Sequence, residues 1–246
     1  MAQITVLRPW VDAAFNFIFP PICQICEQER AGAAEGFVCE ACRRRVRWVA
    51  PPFCERCGLP FEGEITETFE CSNCHDLDLY FRFARSAIVA DSLVLDIIHR
   101  YKYSRNLWFE TFLANALIEK AAPQLMAGEW DWIVPVPLHH SKKREREFNQ
   151  TERLGSCLAN ATGIPMNARL VQRVKATETQ TTLGKRERAA NMAAAFAVRE
   201  GLRLDGKKIV IIDDVLTTGA TTSACARALR MAGAEDVGVW TVARGT

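Results

Sequence analysis

What this 246-residue chain lacks narrows the reading first. It has no run of about 18 or more uncharged apolar residues, so no membrane-spanning helix is expected. Charge of neither sign dominates: 31 basic against 29 acidic residues give a net +2, which excludes a global field drawing the chain to nucleic acid. Any anion binding must therefore come from local clusters. There is no glycine or proline excess (14 and 10) and 49% of residues are apolar, which excludes fibrous and disordered classes. The opening Met1 to Pro20 carries Trp10, Val11, Phe15, Phe17, Ile18 and Phe19, but Asp12 interrupts them and no small-residue cleavage site follows. No cleavable signal is expected, and this amphipathic start is read as packing on the cysteine-rich segment next to it, ahead of touching a membrane.

What the chain does have is cysteine. Eight of its ten cysteines form four Cys-x-x-Cys pairs: Cys23/Cys26, Cys39/Cys42, Cys54/Cys57 and Cys71/Cys74. Intervening lengths of 12, 11 and 13 residues separate successive pairs. Without a secretory leader these read as metal-bound thiolates in a cytoplasmic protein, not as disulfides. A Cys-x-x-Cys turn presents two sulfurs to one ion, and two turns complete a tetrahedral shell, so eight thiolates make two closed zinc sites. The sequential grouping is the simplest, and a crossed one (first pair with third, second with fourth) stays open. A closed shell leaves no position for substrate, so both sites are expected to be structural. About 75 residues with few apolar side chains cannot bury enough surface to fold alone, and metal binding supplies the deficit. The basic run Arg43, Arg44, Arg45 and Arg47 beside Cys42 reads as a solvated helical turn before it reads as a phosphate contact. His75 follows Cys74, but the ligand set is complete without it.

After about Tyr80 the pattern changes to alternating strands and helices, which divides the chain into a zinc module (1–82) and an α/β domain (83–246) with a mainly parallel sheet. Ser86 to Ala90, Trp132 to Val136, Ile209 to Ile212 and Val237 to Val242 read as strands. Leu93 to Tyr103, Trp108 to Ala122, Gln150 to Ala161 and Thr221 to Ala232 read as helices. Cys157 and Cys225 fall in such helices and are expected to be buried as small hydrophobes.

The segment with most chemistry is Lys208-Ile-Val-Ile-Ile-Asp-Asp-Val-Leu-Thr-Thr-Gly-Ala-Thr-Thr222. An apolar strand ends in two carboxylates, then a Thr-Thr-Gly turn, then a helix. Ligands of parallel sheets bind at the carboxyl ends of strands. A helix N-terminus offers unpaired N–H groups and the positive dipole end to an anion. Gly219 lets the backbone curl, and Thr217, Thr218 and Thr221 add hydroxyls. Asp213 and Asp214 would repel bare phosphate, so they are read as facing sugar hydroxyls or magnesium. No Gly-Lys-Ser/Thr follows the glycine, which excludes a P-loop.

This segment resembles the phosphoribosyl diphosphate (PRPP) motif of type I phosphoribosyltransferases. The whole chain is similar to the ComF family: a cysteine-pair module, then a short phosphoribosyltransferase core. Further matches are Tyr101-Lys102-Tyr103 after a helix holding Ile97, Ile98 and His99, and Val134-Pro135-Val136-Pro137-Leu138 at a strand end. Arg144-Glu-Arg146-Glu-Phe148-Asn149-Gln150 and the series Gln180, Leu183, Arg188, Asn191 and Phe196 also match. One departure is Glu147, where the family pattern has glycine.

The resemblance implies that Asp213 and Asp214 bind the ribose hydroxyls, directly or through Mg2+, and that Thr217, Thr218, Gly219, Ala220 and Thr221 cradle the 5′-phosphate. Val136 and Pro137 would hold diphosphate, and Lys102, Arg144 and Arg146 would stabilise it as it leaves. The polar stretch Thr177 to Arg188, with Lys185 and Arg186, would close over the site. Between Gly163 and Leu204 no aromatic platform stands out for an acceptor base. Three readings stay open: a phosphoribosyltransferase, a non-catalytic PRPP or nucleotide sensor, and an accessory of DNA uptake that meets single-stranded DNA or uptake proteins.

Overall fold

The computed structural model describes residues 21–61, 63, 71–139, 144, 148–174 and 195–245. The apolar start with Trp10, Phe15 and Phe19, Arg146 and Glu147 lie outside these residues. So does the polar stretch 177–188, with Gln180, Leu183, Lys185, Arg186 and Arg188, and so does Asn191.

In chain order the elements are α1 (Glu40–Arg44), β1 (Phe83–Val89), α2 (Ser92–Tyr103), α3 (Phe109–Met126), β2 (Trp132–Pro135) and α4 (Gln150–Thr162). Then come β3 (Val171–Arg173), β4 (Phe196–Val198), β5 (Lys208–Leu216), α5 (Ala220–Met231) and β6 (Asp236–Arg244). Four strands make one wholly parallel sheet in the order β1-β6-β5-β2, as the helix–strand alternation predicts. Ile209, Val210, Ile211 and Ile212 are fully buried, because a central parallel strand is covered on both faces. Helices α2, α3 and α4 cover one face with Ile97, Leu117 and Leu154, and Val210 and Ile212 meet them there. The other face carries α5 through Cys225 and Leu229, against Ile209, Ile211, Val237 and Val239.

Strand β5 runs longer than its apolar stretch. Asp213 pairs with Thr241, Val215 with Ala243 and Leu216 with Arg244, so the two aspartates lie within the ladder instead of beyond it. The ladder is made by backbone groups, so the pairing continues past the apolar run. The antiparallel pair β3–β4 has no counterpart in the sequence reading. Three-residue strands 22 positions apart carry too little alternation to be seen.

Both outer strands of the sheet are covered by irregular chain. Val49 N–H donates to Ala87 O (3.0 Å) and Val89 N–H to Arg47 O (2.7 Å), laying residues 47–49 antiparallel on β1. On the far side Ile133 N–H donates to Pro165 O (3.0 Å) and Asn167 N–H to Ile133 O (2.9 Å). Among the described residues no helix is long and apolar enough to cross a membrane.

Candidate functional site

The eight paired cysteines gather into two groups, Cys23/Cys26/Cys39/Cys42 and Cys54/Cys57/Cys71/Cys74, with the sulfurs of each group within 4.8 Å of one another. The sequential grouping is therefore the one adopted. Sulfur–sulfur distances of 3.7 Å (Cys26–Cys39), 3.7 Å (Cys54–Cys74) and 3.6 Å (Cys57–Cys71) test the fit of a metal. A tetrahedral zinc with Zn–S near 2.3 Å has sulfur–sulfur edges of about 3.8 Å, so the cages have the size of a Zn–S4 shell. Cys39 also caps α1, its sulfur accepting the Cys42 N–H at 3.4 Å.

Two of the four arginines beside Cys42 are paired with carboxylates. Arg43 pairs with Glu119 of α3 at 3.2 Å, and Arg44 with Glu40 at 3.2 Å on an exposed turn. Of the two lone cysteines, Cys225 is fully buried but Cys157 only partly so, which corrects that expectation. Cys157 lies towards the outer flank of α4, where full cover is missing.

At the carboxyl end of β5 the chain turns through Thr217, Thr218 and Gly219 into α5. Gly219 has φ +83° and, as the N-cap, offers no side chain to the helix; the Ala220 N–H donates to Thr218 Oγ1 at 3.4 Å. A Cβ at Gly219 would meet nothing closer than 3.5 Å, so backbone conformation, not crowding, requires glycine here. Asp213, Val215 and residues 216–222 enclose a concavity of about 40 Å3, which brings Asp213 together with Thr217, Thr218, Gly219, Ala220 and Thr221. Burial, then the neighbouring Asp214 carboxylate, push Asp213 up to about 7 against the pull of Lys102 and Arg173. Its surroundings thus hold too little positive charge to keep it fully ionised.

Asp214 stands apart from this concavity. Successive side chains of a strand point to opposite faces, and Asp214 faces the α2/α4 side. There Lys102 Nζ donates to Oδ1 at 2.7 Å and Gln150 Nε2 to Oδ2 at 2.9 Å. The pair is well shielded, with 8% of the Asp214 side chain and 18% of the Lys102 side chain exposed. Gln150 Oε1 is buried with no hydrogen-bond partner among the described residues. One residue earlier, Asn149 caps α4 by accepting the Thr151 N–H at 3.2 Å, and both side chains donate to Val136 O, at 3.3 Å and 2.7 Å. Phe148 meets the buried Tyr101 ring at 5.6 Å between centroids. The Tyr-Lys-Tyr and Phe-Asn-Gln stretches therefore converge on Asp214 and on the strand end at Val136–Pro137.

The expected site residues fall into two groups. Asp213 and residues 217–221 share the concavity, while Lys102 and Asp214 are hydrogen-bonded in a set with Gln150, and Val136 is bonded to the adjacent Asn149. Lys102 is engaged by Asp214 and does not stand free at the strand end. Pro137 follows Val136, and Arg144 is exposed to solvent. Sequence reasoning gives Asn149 and Gln150 no role and passes over Thr151 and Arg244. Beside the concavity, Leu95, His99, Lys102, Tyr103 and Val215 line a groove of about 460 Å3, with the His99 and Tyr103 rings 4.8 Å apart.

Known proteins match this chain in two stretches. Residues 14–75 match the double zinc ribbon domain and residues 157–246 the phosphoribosyl transferase domain. DNA utilization protein YhgH of Salmonella typhimurium is 33% identical over 234 residues, covering 92% of this chain and 97% of that protein. Competence protein F of Haemophilus influenzae is 29% identical over 219 residues (86% and 92%). Competence protein ComFC of Bacillus subtilis is 26% identical over 217 residues (84% and 84%). A solved purine phosphoribosyltransferase from Pyrococcus horikoshii overlays 54% of this chain and 83% of its own at 17% identity, with a TM-score of 0.36, too loose an overlay to carry weight beside the sequence relatives. Two cysteine cages, a parallel sheet and an Asp-Asp strand leading into a Thr-Thr-Gly turn thus accompany similarity along nearly the full length of these relatives: the chain belongs to the ComF family, that of Competence protein F and DNA utilization protein YhgH.

Proposed function

We propose that this protein binds PRPP at the β5–α5 turn and transfers its phosphoribosyl group to an acceptor base. The observation that carries this is the shared concavity, in which a helix N-terminus with glycine at its N-cap and the partly buried Asp213 lie side by side at the carboxyl end of a parallel sheet. The helix end and the Thr217, Thr218 and Thr221 hydroxyls suit the 5′-phosphate. Asp213 suits the ribose hydroxyls. Magnesium, arriving with PRPP, would neutralise diphosphate, and Asp213 is the carboxylate at the concavity that would hold it or a ribose hydroxyl.

In the reaction the C1–oxygen bond to diphosphate breaks and diphosphate leaves with the electron pair. An acceptor nitrogen forms the new bond to C1 and gives up its proton to solvent. Val136–Pro137 would border the diphosphate, its backbone fixed by Asn149 and Thr151. Arg144 and Arg146 would meet its charge, an electrostatic contribution of several kcal/mol when preorganised. Lys102 and Asp214 act by holding each other and Gln150 in place. The groove with His99 and Tyr103 suits a planar acceptor, since it adjoins Val215 directly after the aspartates.

A second reading, a PRPP sensor without turnover, draws on Asp214, both of whose oxygens are already engaged. The names of the relatives connect either reading with competence and DNA utilization, and reduced cysteine cages fit a cytoplasmic setting. A direct grip on single-stranded DNA by the zinc module has less support, because Arg43 and Arg44 are paired with carboxylates.

Calorimetric titration of magnesium-PRPP into the zinc-loaded protein tests the site. Saturable binding is expected, weakened at least about tenfold by Asp213→Ala through loss of a charged contact. Silence of the wild type with both zinc ions present would sink the proposal. Release of diphosphate on adding bases separates transferase from sensor.

A further inference from the structure

Arg244 ends β6 and is 1% exposed, yet the groups it meets are not carboxylates. Its Nη1 donates to Leu216 O at 3.0 Å, to Thr217 O at 2.8 Å, and to Gly245 O. Its Nε donates to Cys57 O at 3.2 Å and its Nη2 to Cys57 Sγ at 3.7 Å. The guanidinium fork thus has one prong on the second cysteine cage and the other on the start of the phosphate turn. The parallel register, with Leu216 beside Arg244, makes this possible. A buried guanidinium is costly unless hydrogen-bonded and offset by charge. The carbonyls supply the bonds, and a metal-bound Cys57 is a thiolate that supplies the charge.

The far side of the turn is held by the same module. Ser223, in the first turn of α5, donates to Asp78 O at 3.2 Å and accepts the Tyr80 N–H at 3.2 Å. Phe81 and Leu79 lie 3.5 and 3.7 Å from where a Cβ on Gly219 would sit. Residues 78–81 come four to seven positions after Cys74, the last ligand of the second cage. The second cage therefore brackets the turn from both ends, whereas the first cage has its contacts on the helical face of the sheet.

We propose that Arg244 is a positioning residue through which metal in the second cage sets the shape of the Thr217–Thr221 turn, so that anion affinity there depends on the second zinc and not on the first. The affinity half rests on the reading of the turn as the PRPP site; the shape half does not.

Amide hydrogen exchange of the full-length, zinc-loaded chain separates the two halves. In Arg244→Lys, which keeps the charge but loses the fork, peptides spanning 214–223 should exchange roughly tenfold faster while two zinc ions per chain remain and β2 is unchanged. Cys54→Ser/Cys74→Ser, which removes second-cage ligands that do not touch Arg244, should do the same, and Cys26→Ser/Cys42→Ser should not. Stepwise chelation of the wild type repeats the test without any variant: turn exchange should accelerate with release of one of the two ions, before global unfolding. Unchanged turn exchange in Arg244→Lys, acceleration only on global unfolding, or equal acceleration from loss of the first cage would each overturn the proposal. Magnesium-PRPP titration of the same samples completes it. A loosened turn that binds PRPP as tightly as before would overturn the affinity half. A loosened turn in a protein that never binds PRPP would leave the positioning role standing and remove the PRPP reading instead.

Discussion

Both cysteine cages are built alike, from two Cys-x-x-Cys turns separated by 12 or 13 residues, yet they are packed into different surroundings. Cys23, Cys39 and Cys42 belong to the same core as Phe112, Leu113 and Leu117 of α3. Arg100 of α2 reaches back to Gln24 O at 2.7 Å, and Gly36 lies so close to α3 that a Cβ there would come within 2.5 Å of Phe112 N. The second cage forms a small cluster of its own with Leu59, Phe61 and Leu79, and its connections run to the sheet edge and the phosphate turn. One fold solution therefore serves two purposes: the first cage completes a hydrophobic core, and the second holds a loop in shape. The two aspartates divide similarly, Asp214 towards the helical face and Asp213 into the concavity by the turn.

The sharpest way to break this contrast is to remove each metal site in turn. Structural zinc contributes on the order of 10 kcal/mol to small metal-stapled modules. Cys26→Ser/Cys42→Ser should lower Tm by roughly 10 °C or more, because it opens the core shared with α3. Cys54→Ser/Cys74→Ser should cost less in Tm. Equal losses in a calorimetric scan would erase the distinction.

The next test addresses the buried ion pair on the helical face. Lys102→Met should destabilise by about 3 kcal/mol, since it leaves Asp214 charged and shielded without its cation. Lys102→Met/Asp214→Asn should recover at least about 1 kcal/mol of that in denaturant unfolding. Failure to recover would mean that Lys102 acts through something other than Asp214.

At Asp213 the effect shows as a slope with pH instead of a loss at one pH. Its folded-state value near 7 lies above the usual carboxylate range, so the folded protein keeps a proton that the unfolded chain releases from about pH 4 upwards. Its contribution to stability is full below about pH 4, declines as pH rises, and levels off above about 7. Asp213→Asn should flatten that part of the profile, whereas Asp214→Asn, which removes the neighbouring charge, should move it to lower pH without abolishing it.

Much of the fold was legible because its signals are local. Paired cysteines announce cages, and the run Ile209 to Ile212 announces a strand buried on both faces. The β5–α5 turn was readable for the same reason, since strand, acid, glycine and helix come one directly after another. The roles of Lys102 and Gln150 were not, because each depends on meeting Asp214, 112 and 64 residues away. Arg244 was overlooked although it left a trace: a charged residue closing an otherwise apolar strand. Adjacent aspartates read naturally as a pair, but strand geometry sends their side chains to opposite faces, so a double substitution at 213 and 214 confounds a site with a structural ion pair.

The strip of chain at residues 47–49, laid along β1 a few residues after the last ligand of the first cage, has a further consequence. Exposed strand edges template aggregation, and proteins cover or blunt them. The metal that folds the first cage also fixes this cover in place. Losing it would bare a hydrogen-bonding edge flanked by Ile88 and Val89, so metal starvation should be met by intermolecular strand addition and insolubility, with zinc acting as a guard against self-association.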